Sequence, residues 1–190
     1  MRYARVLWFS VTLVLVTAAA TTFVAVANAR QIDSGPIDEL VTEEVEDFCG
    51  EEGLTVQSVT HVVGRFRVTS HGPDQLLYFA ANLNVTQVLT NGDNTVTSRS
   101  NFIDKDVRVT DNGDGTLTIL ILSTGNAVLY GPDGKAIARN PGQVRSELVV
   151  DHGGTPTDPE DDVEISFELV KESTGRTDDF CDAALPVLTA

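Results

Sequence analysis

Ala81-Asn82-Leu83-Asn84-Val85-Thr86-Gln87-Val88-Leu89-Thr90-Asn91-Gly92-Asp93-Asn94 reads as a strand running into a tight turn. Ala81, Leu83, Val85 and Leu89 alternate with Asn82, Asn84 and Thr86. A period of two sends successive side chains to opposite faces, so this run has one buried and one wet side. Asn91-Gly92 then readily takes the positive φ angles of a two-residue hairpin turn. The segment predicts an antiparallel β protein, and the same pattern repeats on either side of it.

Upstream, Leu54 to Thr69 carries Val62, Phe66 and Val68 on one parity and Arg65 and Arg67 on the other, with Gly64 where a strand bends. Downstream, a strand is expected over Thr95 to Thr110, broken near Asn101-Phe102. Asp111-Asn112-Gly113-Asp114-Gly115 forms the next turn, and Thr116 to Ser123 follows with apolar residues on both sides, as in a central or covered strand. Gly131-Pro132-Asp133-Gly134 turns the chain again. Lys135 to Asn140 and Gln143 to Asp151 then read as two strands about a corner at Asn140-Pro141-Gly142. The last run, Val163 to Lys171, sets Val163, Ile165, Phe167 and Leu169 against Glu164, Ser166 and Glu168, which predicts a buried apolar face. The expected fold class is all-β, an antiparallel meander of about seven or eight strands, with a small barrel preferred over a sandwich because closure removes exposed edges.

The chain begins with Arg2 and Arg5 ahead of an apolar run from Val6 to Val26, then Ala27-Asn28-Ala29. That is the layout of an export signal cut after Ala29; the competing reading is an uncut membrane anchor, which also places the domain outside. No cysteine follows the run closely enough for lipidation, and the two arginines are not adjacent, so ordinary secretion is expected. The expected organisation is a signal peptide over residues 1–29, an acidic leader or short helix over 30–48, a β domain over 49–181 and a tail over 182–190. The helix reading of the leader rests on the spacing of Ile37, Leu40, Val41 and Val45.

Cys49 and Cys181 are the only cysteines. In an exported chain two cysteines pair, which predicts a Cys49–Cys181 disulfide bracketing the domain. Neither has a second thiol or ligand cluster nearby in sequence, so the pair reads as a staple and not as a redox or metal centre.

The formal net charge of −15 repels phosphate backbones and anionic lipid. Nucleic acid is therefore excluded as a partner, and no stable membrane insertion is expected once the signal is removed. The sequence contains no nucleophile elbow, no histidine pair at metal spacing and no phosphate-binding glycine loop. His61, His71 and His152 stand apart, so no catalytic residue and no cofactor is assigned. Asp111 to Thr116 begins like a calcium loop, but glycines occupy the third and fifth ligand positions and Leu122 the twelfth. The acidic loop Asp158-Pro159-Glu160-Asp161-Asp162 is the better cation candidate, through Asp158, Glu160, Asp161 and Asp162; a solvated loop is the plainer reading. Asn84-Val85-Thr86 matches the glycosylation triplet within an expected strand.

Cys49-Gly50, Asp111 to Thr118, Pro141-Gly142-Gln143, Asp161-Asp162 and Asp178-Asp179-Phe180-Cys181 together resemble a group of secreted small β-barrel proteins of high-GC Gram-positive bacteria. The resemblance implies an extracellular barrel similar in outline to allene oxide cyclase or lipocalin-type barrels. It brings no functional residues with it, since its shared motifs are turns and a staple. The functional expectation is a non-enzymatic secreted barrel holding a small apolar or amphipathic ligand. Its alternatives are an extracellular structural or interaction domain, and a cyclase- or isomerase-like barrel enzyme.

Overall fold

A computed structural model describes residues 30–173 and 175–190; the expected signal segment lies outside the described residues. Seven strands form one sheet in the order of the chain, every neighbouring pair antiparallel. They are β1 (Arg30–Val45), β2 (Val56–His71), β3 (Leu76–Asn91), β4 (Asn94–Asp111), β5 (Thr116–Tyr130), β6 (Ala136–Asp151) and β7 (Val163–Lys171). A single 3₁₀ turn, Phe48–Gly50, follows β1, and a helix, α1 (Phe180–Leu188), ends the chain. The all-β meander is therefore present as one sheet. β1 and β7 are not paired with each other, and the sheet is not closed into a barrel.

The alternation at Ala81 to Leu89 carries through to the structure: Ala81, Leu83 and Leu89 are buried while Asn82, Asn84 and Thr86 are exposed. Asn91 pairs with Asn94, leaving Gly92 and Asp93 as the turn, with Gly92 at φ +59°. Across the strands Leu83 faces Gly64 on β2 and Phe102 on β4, which in turn faces Gly125 on β5. These two glycines let neighbouring strands crowd together: a Cβ on Gly64 would lie 2.1 Å from the Asn82 carbonyl oxygen, and one on Gly125 2.3 Å from that of Asn101. Such close approach is open only to glycine.

Several expectations are corrected. The leader is strand β1, because its extended backbone satisfies the free edge of β2 from Arg30↔Ser70 to Val45↔Val56. Alternation places Ile37 and Val45 on the side of the buried Val62 and Val56, and Pro36 is tolerated because β1 is an edge strand. β4 runs unbroken through Asn101-Phe102. β6 runs unbroken through Pro141, whose stretch pairs with β5 alone, since β7 joins β6 only from Arg145 onward. The C-terminal tail is helical over most of its length.

The largest correction concerns β7. Its apolar side chains are exposed, with Val163 64%, Ile165 57% and Leu169 49% accessible. β7 is the other edge strand, with nothing paired beyond it, and its ladder to β6 is interrupted by irregularities at Arg145/Ser146 and Val149/Val150. The irregularity at Val149/Val150 also breaks the expected alternation: Val163 opposes Asp151 on the outer side of β6, whereas Phe167 and Leu169 oppose Leu148 and Ser146 on its inner side.

The core divides into three clusters. At one end Val56, Leu89, Val96, Leu129 and Ala138, from five successive strands, meet Ala184 and Leu188 of α1 together with Phe48 and Leu54. In the middle Val62, Ala81 and Leu83 pack with Phe66, Phe79 and Phe102. At the far end Val109, Leu117 and Val150 pack with Tyr78 and Leu148. Strands as distant in order as β2 and β6 can share the α1 cluster only if the sheet is strongly curled, as native twist and close glycine contacts allow.

Cys49 and Cys181 are bonded, with Cα atoms 5.6 Å apart and a sequence separation of 132. The bridge fastens the loop after β1 to the first turn of α1. Asp179 caps that helix, accepting from the Cys181 and Asp182 amides at 2.8 and 3.1 Å, which contributes about 1 kcal/mol. Asn91 and Asn94 hold its other end by donating to the carbonyls of Leu188 and Ala190 at 2.8 and 2.9 Å.

Candidate functional site

A cavity of about 380 Å³ lies between the inward faces of β4, β5 and β6 and the segment leading into α1. The register explains its lining. Phe102, Ser100 and Asp104 stand two apart on β4; opposite them on β5 are Gly125, Ala127 and Ser123, and opposite those on β6 are Gly142, Asn140 and Val144. Gly125 and Gly142 face each other at its floor, and both are tightly approached by neighbours, Gly125 by Asn101 and Phe102 and Gly142 by Ser173. Leu169 of β7 adds an apolar wall, and Thr177 to Cys181 pass across the site.

The acids are its most unusual feature. Asp104 and Asp106 share one face of β4, at the register that buries Val96 and Ser98. The β3–β4 ladder ends at Ala80↔Lys105, and beyond it the Asp106 carboxylate accepts from the Phe79 amide at 2.7 Å in place of a backbone carbonyl. A bulge follows between Asp106 and Arg108, where the Val109 amide donates to the Tyr78 hydroxyl at 3.2 Å. Side chains thus replace backbone as the two strands part.

Burial raises the pKa of Asp106 to about 6, the Phe79 amide opposing the shift and the nearby Asp104 charge adding to it. Burial also raises Asp104, and a hydrogen bond with the Ser123 side chain draws it partly back. The Asp104 Oδ1 atom is closed off from solvent and has no hydrogen-bond partner. Elsewhere on the inward face polar groups are matched, as where Gln87 donates to Ser58 at 3.1 Å.

The remaining acids at the cavity differ in availability. Asp178 is ion-paired with Arg176 at 2.6 Å and accepts from the Arg139 amide, while Asp179 serves as the helix cap. Glu172 is exposed at the rim. Among the described residues no Lys, Arg or His lines the cavity.

The residues singled out from sequence lie apart from this site, Cys181 excepted, which lines it from the α1 side. His61 bonds Asp38 at 2.8 Å on the surface, and His71 lies edge-on to Tyr78 and bonds Thr69. His152 is buried, its Nδ1 accepting from the Gly154 amide at 3.2 Å. Asp111 and Asp114 are engaged in their turn, accepting from Gly113 and Thr116. Asp158 accepts from the Glu160 amide and Asp161 from the Thr155 hydroxyl; Asp162 is raised by partial burial and by the Asp161 charge. Among the described residues no group of three or more His, Cys, Asp or Glu side chains is placed to hold a metal ion. No helix of the described residues is long and apolar enough to cross a membrane.

Sequence reasoning missed Asp104 and Asp106. The signal was their parity, which sets two acids in line with Phe102 inside a strand otherwise alternating inward apolar or small residues with outward polar ones.

No family model, curated protein or solved structure matches this chain.

Proposed function

We propose that this chain is an exported container domain that holds one small amphipathic molecule in the concavity of its sheet. The carrying observation is the cavity of about 380 Å³, within the range of small-molecule sites, combining Phe102, Val144 and Leu169 with a few polar groups. Export is supported by the signal-like leading segment and by the disulfide, a bond that persists in oxidising compartments. A barrel-like closure belongs to the same reading. Both free edges carry exposed apolar side chains, Leu40 and Val41 on β1 and five on β7, and such edges favour covering. Closure over a ligand brings β1 and β7 together.

The test is native mass spectrometry of protein secreted by an expressing host and kept non-reduced. A chain starting at Arg30 that carries a small adduct lost on denaturation supports the container. A bare chain that also gains no adduct on incubation with small amphiphiles refutes it, and the extracellular interaction domain takes its place. The enzyme reading has one foothold, the raised Asp106 carboxyl near the cavity. Turnover of a bound ligand, lost in Asp106→Asn with binding retained, distinguishes it.

A further inference from the structure

The lining of the cavity selects among amphiphiles. An anionic head would meet Asp104, Glu172, Asp178 and Asp179 with no cationic side chain on the walls to receive it. Two of these acids are already engaged, Asp178 by Arg176 and Asp179 by the amides of α1. Asp104 and Glu172 remain. Asp104 lines the wall, and its single hydrogen bond to the Ser123 side chain leaves the carboxylate acceptor capacity for a donor in the cavity. A donor entering the cavity offsets part of the desolvation that weighs on this carboxyl group. A neutral hydroxyl offers one hydrogen; an ammonium offers three, and its charge offsets the desolvation that weighs on the carboxylate.

We propose that the cavity takes a primary alkylamine or a molecule ending in one, with its ammonium between Asp104 and Glu172 and its hydrocarbon against Phe102, Val144 and Leu169. This rests on the container reading. The net charge of −15 works in the same direction, raising the concentration of small cations near the surface.

The experiment is isothermal titration of the full secreted, disulfide-bonded chain with octylamine, octanol and octanoate near neutral pH. Octylamine is expected to bind about tenfold or more tightly than octanol, with octanoate weakest. Asp104→Asn is expected to bring octylamine within about twofold of octanol. Glu172→Gln, at the exposed rim, weakens the amine alone and serves where Asp104→Asn does not fold. Equal binding of all three probes overturns the amine preference while leaving the container intact. Tighter octanoate overturns it as well, and absence of binding by any probe overturns both.

Discussion

Removing the Cys49–Cys181 bridge tests how the two ends of this chain are held. The bond closes 132 residues of sequence. In the chain-entropy treatment a closed loop of that length withholds about 17 cal/mol/K from the denatured ensemble, or about 5 kcal/mol near 25 °C. Most domains are stable by only about 5–15 kcal/mol, so the bond accounts for a third or more of such a total. The folded state loses little with it, because α1 keeps its other anchors: Ala184 and Leu188 are fully buried, Phe48 and Phe180 meet edge to face at 6.2 Å, and Asn91 and Asn94 hold the C-terminus.

The mature Cys49→Ala/Cys181→Ala chain should therefore fold, with an unchanged far-UV spectrum and a much lower urea midpoint. Circular dichroism is the suitable probe, since the only tryptophan, Trp8, lies in the expected signal segment. With a urea slope of about 2 kcal/mol/M, the midpoint should fall by about 2 M, and the slope should rise because the unlinked denatured chain exposes more surface. A fall of less than about 0.5 M with an unchanged slope refutes the chain-entropy reasoning. Loss of the native spectrum shows instead that the bridge is needed to dock α1.

Three further outcomes follow from the packing and electrostatics. Asp106 has a folded pKa of about 6, above that of an unfolded aspartate, so the folded chain holds an extra proton between about pH 4 and 6. Its contribution is complete below that window and lost as pH rises through it, by up to about 3 kcal/mol. Asp106→Asn, which keeps an acceptor for the Phe79 amide, should stabilise the protein above about pH 7 and change little near pH 4; denaturation across pH that shows destabilisation at neutrality contradicts this. Gly125→Ala places a Cβ 2.4 Å from that of Phe102 and 2.3 Å from the Asn101 carbonyl. It should cost about 1–3 kcal/mol by thermal unfolding, whereas unchanged stability would show that the strands separate freely there. Leu188→Ala, at the centre of the α1 cluster, should cost about 2–5 kcal/mol with the disulfide intact; a cost below about 1 kcal/mol would place α1 outside the cooperative core.

Much of this architecture can be read locally. Alternation at Ala81 to Leu89, Gly92 at its turn and the limits of β7 are properties of a few consecutive residues, as are the charge and the presence of just two cysteines. A strand's two faces and a turn's φ angles depend on local stereochemistry, so a short window carries them. The same window misassigns residues 30–48, because Ile37, Leu40, Val41 and Val45 suit helix spacing until β2 offers them an edge. Pro141 suggests a corner until β5 alone is seen to pair with its stretch.

Tertiary structure decides what each face meets. Val163, Ile165 and Leu169 alternate in sequence as a core strand does, yet they are exposed, and an irregularity in the ladder to β6 sets Val163 and Leu169 on opposite sides of the sheet. The inward parity of Asp104 and Asp106 is written in β4, but their burial, the bulge beside them and the cavity between Gly125 and Gly142 arise only when β3, β5 and β6 curl around them. Sequence by itself determined β2, β3, β5 and β7, the turns, the acidity and the two thiols, all set by neighbours in the chain. Which acids are stripped of water, and whether an apolar face is covered, depend on residues far away in sequence, and only the folded chain decides them.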